Sequence, residues 1–190
     1  MEKQERLFCA SAREWEAWLE ANHAATAEIW LQFGKKGTGV ATVTYAEAVE
    51  MALCFGWIDG QARRFDEIFY LQRFTPRRPK SIWSQINRAK AEKLMADGRM
   101  RRAGVEAVQR AKADGRWAAA YPGSKTATVP ADLRKALAKS PRAKQFFATL
   151  NGQNRYAILF RLHNTKKAKT RAAKLAKFVA MLAAGKKLHA

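Results

Sequence analysis

From Leu133 to Ala190 the chain carries fifteen lysines and arginines and not one aspartate or glutamate. Lysine-rich helical surfaces ordinarily intersperse both signs of charge, and this stretch has no acid to intersperse. It is also dense in alanine, the best helix former. Its helices must therefore be held by apolar faces, and their outer surface is cationic with no counter-charge of its own. Such a surface points to a polyanionic partner, whether nucleic acid, an anionic membrane surface or an acidic protein. The rest of the chain differs. Residues 71–132 hold fourteen basic and five acidic side chains, and residues 1–70 hold seven basic and eleven acidic. The net charge of +20 thus belongs to the last 120 of the 190 residues.

Several classes are excluded. No apolar run is longer than Met51 to Ile58, which is far short of the ~20 residues a membrane-spanning helix needs. The start, Met1-Glu2-Lys3-Gln4-Glu5-Arg6, leads into no long apolar core, so no secretory signal is expected. Cys9 and Cys54 lie in apolar surroundings and form no Cys-x-x-Cys pair. They are expected to be buried inert thiols in a reducing cytoplasm. His23, His163 and His189 share no ligand spacing, so neither a metal nor a cofactor is expected. No serine nucleophile elbow, phosphate-binding glycine loop or dinucleotide fingerprint is present.

The first half alternates helix and strand. Ser11-Ala12-Arg13-Glu14 and Thr44-Tyr45-Ala46-Glu47 read as capping boxes that open two helices. Ile29–Phe33 reads as a strand, and Ile58–Phe65 with Ile68–Thr75 reads as an antiparallel hairpin. From Ser81 onward almost only helix is expected, beginning with a helix from about Ile82 to Ala96. The loop Trp117–Val129 divides an α+β N-terminal domain, residues 1–120, from a basic all-helical module, residues 121–190. The fold class is α+β, mainly helical, with a small antiparallel sheet in the N-terminal part.

Three constellations could carry chemistry. Arg77, Arg78 and Lys80 stand before Ser81, the expected cap of the following helix. Cationic side chains beside unpaired helical N–H groups make an anion site. The alternative is a solvated connector. Trp57, Asp59, Arg64, Arg73 and Trp83 mix aromatic, acidic and cationic groups near the hairpin, as a recognition pocket would. Asp59 is the one catalytic candidate, as a general base. A structural role, with Asp59 buried against an arginine, is favoured because no second acid, Cys or His accompanies it. Finally, in the last helix Ala168, Ala172, Leu175, Val179 and Leu182 form an apolar face, while Lys167, Arg171, Lys174 and Lys177 offer a cationic one to a polyanion.

The chain also resembles the bacterial YdeI/OmpD-associated, or bacteriocin-protection, family. The stretches that carry the resemblance are Ala52–Gly60, Arg73–Ser84, Gly98–Met100, Ala111-Lys112, Val129–Leu133, Arg155-Tyr156 and Thr170-Arg171. Ala168-Lys169 replaces a proline and an acid often found there, which raises the positive charge. The resemblance implies protection against bacteriocins, and it supplies no reaction and no catalytic residue. A chain at +20 repels cationic peptides, which argues against direct capture of them. The expected function is a non-enzymatic cytoplasmic protein that binds a polyanion, nucleic acid foremost. The alternatives are an enzyme acting on a small anionic substrate in the Trp/Asp/Arg pocket, or peripheral binding to an anionic membrane.

Overall fold

Ser11 and Thr44 start the first two helices as their neighbours dictate. The structure, a computed structural model, describes residues 5–189. In it Ser11 caps α1 (Ala12–Asn22), its hydroxyl accepting from the Glu14 N–H. The Glu14 carboxylate reaches back to the N–H of Ala10, one residue before the cap. Thr44 caps α2 (Tyr45–Cys54) in a complete reciprocal box with Glu47.

Strands β1 (Arg6–Phe8), β2 (Ile29–Gly34), β3 (Trp57–Arg64) and β4 (Phe69–Pro76) form one sheet in the order β1-β2-β4-β3. The hairpin expected from sequence is β3–β4, with a register shift between Asp59 and Ala62. The sheet is mixed rather than purely antiparallel, because β1 pairs parallel with β2. Helices α3 (Gln85–Ala96) and α4 (Arg102–Ala113) complete the first of two compact units, which runs to Ala120. The second unit, from Tyr121, holds α5 (Ala131–Ala138), α6 (Pro141–Thr149), α7 (Gly152–His163) and α8 (Ala168–Ala183). The fold is therefore α+β and mainly helical, as the sequence implies.

Each unit has its own core. In the first, Trp15, Leu19, Leu31, Phe33, Leu53, Trp57, Phe74 and Trp83 are buried with both cysteines. Burial pushes the Cys9 and Cys54 thiols up to about 11, so neither is a thiolate nucleophile near neutral pH. In the second, Leu133, Leu137, Phe147, Ile158, Leu162, Phe178 and Leu182 are buried together.

One glycine fixes the packing of α4 on α2. A Cβ at Gly104 would collide with the backbone carbonyl oxygens of Cys54 and Leu53, lying 2.7 Å from the latter. Glycine in mid-helix ordinarily costs stability relative to alanine; here the close approach requires it. Gly104→Ala is expected to destabilise the first unit by about 1–3 kcal/mol, the usual cost of overpacking. Chemical denaturation checks this: the transition midpoint should fall, not rise as helix propensity alone would have it.

Candidate polyanion-binding module

The residues around the hairpin do not converge. Trp57 is 1% exposed and donates its indole N–H to the His23 carbonyl at 3.1 Å. Trp83 is equally buried and packs edge-on against Trp117. Asp59 accepts a hydrogen bond from the Tyr45 hydroxyl at 2.7 Å. The expected burial against an arginine is not found, because the carboxylate is half-exposed and a phenol satisfies it. Arg64 is exposed and pairs with Glu67 across the hairpin turn, while Arg73 pairs with Glu28 at 3.4 Å. Trp57 and Trp83 are thus core residues, and Arg64 borders a shallow hollow with Lys35, Arg63 and Tyr70 rather than with them.

The basic loop is also rearranged. The helix after it starts at Gln85, and its cap is Ser84, whose hydroxyl accepts from the Asn87 N–H. Ser81 instead accepts from the Arg78 N–H within the loop. Arg77 is 8% exposed, lies 3.5 Å over the Trp83 ring and donates to the Ile82 carbonyl. Residues 81–83 are thus held out of the helix by packing of the buried arginine on the indole. Arg78 and Lys80 are exposed, but the helix N-terminus they were expected to flank lies further along the chain.

The second unit gathers the positive charge. Asp132 is the only side-chain carboxylate from Tyr121 onward. It sits in the first turn of α5 and is gripped by Arg171 of α8, with Nε–Oδ2 2.6 Å and Nη2–Oδ1 3.1 Å. Arg171 also donates to the Leu162 carbonyl. Lys174, one turn on, donates to the Thr165 hydroxyl at 2.9 Å. Arg171 and Lys174 are therefore internal fasteners of the unit, in contrast to the expectation that they face a polyanion. Lys167 and Lys177 are exposed. The inward stripe of α8 runs through Arg171, Lys174, Leu175, Phe178 and Leu182, whereas Ala168 and Ala172 face out.

The Arg171 hydrogen bonds hold the Asp132 carboxyl below its ordinary range. A depressed carboxyl contributes stability that is full above the unfolded value, about 3.9, and is lost as pH falls through the lower folded value. Solvent reaches 40% of the Asp132 side chain, so a charged hydrogen bond is discounted here to about 1 kcal/mol. Asp132→Asn should lower the melting temperature at about pH 7, and the gap to wild type should close at about pH 2. A gap unchanged in acid would contradict the pairing.

The rest of the basic surface has no side-chain carboxylate inside the unit. Lys125, Arg134, Lys135, Lys139, Arg142, Lys144, Arg155, Lys166, Lys167, Lys169, Lys177, Lys186 and Lys187 are all exposed. Helices α6, α7 and α8 have no acid in the first turn, where acids usually sit, and Lys167, at the N-cap of α8, makes no side-chain capping bond. The first unit contrasts with this, tying basic side chains to acids through pairs such as Arg101–Glu16, Lys90–Glu50 and Arg116–Asp114.

Tyr156 and Phe160, one turn apart on α7, form a wall with a hollow on either side. The smaller, about 220 Å³, is lined by Tyr121, Pro122, His163 and Arg171 as well. The larger is open, about 740 Å³, and is bordered by Lys125, Gln153, Arg161 and His189. The Tyr156 hydroxyl donates to the Pro122 carbonyl at 3.0 Å, and the Phe160 ring stands edge-on to Tyr121 at 4.8 Å. Asn154, 1% exposed, clamps the chain after α8: its carbonyl oxygen accepts from the N–H groups of Leu188 and His189. The signal of this wall in the sequence is the i, i+4 aromatic pair Tyr156/Phe160. Among the described residues no cluster of His, Cys, Asp and Glu could hold a metal, and no helix is long and apolar enough to cross a membrane.

Comparison with known proteins divides the chain in a similar way. No curated protein and no solved structure matches it. Residues 126–185 match the family described as Bacteriocin-protection, YdeI or OmpD-Associated, which bears out the resemblance on the helical module. The stretches Ala52–Gly60 and Arg73–Ser84 fall instead within residues 7–107, which match another family, described as Domain of unknown function (DUF8412). With more than half its length in that match, the chain belongs to the DUF8412 family, and its residues 126–185 are similar to the YdeI/OmpD-associated family.

Proposed function

We propose that the protein binds a polyanion, nucleic acid foremost, through its C-terminal helical unit, and that it serves bacteriocin protection in this way rather than by capturing a cationic peptide. The carrying observation is that the sole side-chain carboxylate of this unit, Asp132, is consumed by Arg171, leaving thirteen exposed lysines and arginines with no further side-chain carboxylate in the unit. Like charges crowded on one small surface repel, and an external polyanion relieves that repulsion while releasing its own counterions.

The test is a fluorescence-anisotropy titration of duplex DNA and single-stranded RNA at low salt, with anionic vesicles as competitor. Wild type should bind nucleic acid and be displaced poorly by vesicles. Lys167→Glu, Lys169→Glu and Lys177→Glu combined should weaken binding while the unit stays folded, because none of the three side chains is buried. Arg171→Ala should chiefly lower stability. Preferential binding to vesicles would replace nucleic acid with a membrane surface, and no binding to either would end the polyanion reading.

A further inference from the structure

We infer that the open cavity beside Tyr156 and Phe160 holds an unpaired base of a single-stranded nucleic acid, with the adjoining phosphates on Lys125 and Arg161. The inference rests on the polyanion reading and sharpens it. The cavity volume, about 740 Å³, is within the roughly 300–1,000 Å³ of small-ligand sites. A lysine-covered surface alone would favour the duplex, whose charge density is the higher. This site adds what only a splayed base can use.

Its wall is aromatic and held in place. Tyr156 is fixed by its bond to the Pro122 carbonyl, and Phe160 packs against both Tyr121 and Tyr156. Both rings are only half-buried, so apolar surface faces the cavity. Stacking on such rings is tolerant of base identity and is closed to bases inside a duplex. The rim is polar and lacks acid. Arg161 is anchored by its bond to the Ala157 carbonyl, Lys125 is exposed, and Gln153 offers an amide able to donate to and accept from a base edge. His189 is brought to the same border by the Asn154 clamp. An aromatic wall beside cationic groups fits a planar base joined to a negative phosphate, and an acidic peptide would leave the aromatic wall unused.

Binding of oligothymidylate, whose bases stack weakly on one another, is compared with that of a duplex of equal length. The variants are Phe160→Leu and, as a change at an exposed position that spares the core, Gln153→Glu; melting curves confirm folding. Each should weaken oligothymidylate binding about tenfold, as expected for one lost stack or one carboxylate at the rim, and leave duplex binding within about threefold. Wild type should retain single-strand affinity at salt that abolishes duplex binding. Equal losses for both strands, or none for either, overturn the base site and leave the polyanion reading standing. Failure of both nucleic acids to bind wild type at low salt overturns both.

Discussion

Trp57→Ala is expected to destabilise the first unit by about 3–5 kcal/mol, a fall in melting temperature on the order of 10 °C or more. The indole is 1% exposed, stands edge-on to Trp18 at 5.9 Å and satisfies the His23 carbonyl. Its removal opens a large cavity and strands a polar group. Asp59→Asn, two residues along, should change stability by no more than about 0.5 kcal/mol, because an asparagine oxygen can accept the same Tyr45 hydroxyl in a half-exposed position. Thermal melts of the two variants side by side separate a core role for the tryptophan from a shared pocket, in which both substitutions would leave the fold intact and abolish an activity.

The contrast between these neighbours shows where the sequence is legible. Trp57 follows a helix that ends in Gly56, whose φ of +73 suits a left-handed cap, and the apolar run before it leaves little choice but the core. What Asp59 touches depends on Tyr45, fourteen positions away on another element, and no local pattern encodes that. Strand β1 was missed for the same reason: three residues carry too little periodicity, and only long-range pairing with β2 defines them. Two serines, Ser81 and Ser84, compete to cap α3. Local chemistry allows either, and the buried Arg77–Trp83 stack decides for the second.

In α8 the helical period is plain in the sequence, but its N-terminal half is misread if alanine is taken as the inward residue. The inward positions there are Arg171 and Lys174, because Asp132 and Thr165 wait for them across the unit. A cation at core spacing in a segment nearly devoid of acids is therefore a sign of an internal partner. The cavity beside Tyr156 was hidden because its border joins residues from Lys125 to His189.

The other large effect expected is on affinity. The free cations of α8 are Lys167, Lys169 and Lys177, and the exposed basic residues of α5 and α6 add to them. Contact with four phosphates releases about 0.9 counterion each on duplex DNA, a log–log salt slope of roughly −3.6. Affinity should then fall about a hundredfold over a fourfold rise in salt. The variant carrying Lys167→Glu, Lys169→Glu and Lys177→Glu should lose up to three of those contacts and bind far more weakly at every salt concentration.

The salt dependence of duplex binding, measured for wild type and this triple variant, tests the central claim most directly. A wild-type slope near −3.6, flattened by up to about 2.7 in the variant, is the result expected of a unit whose one carboxylate is already spent on Arg171. A wild-type protein that binds no nucleic acid at low salt, or one whose affinity is indifferent to salt and to the three reversals, would contradict it.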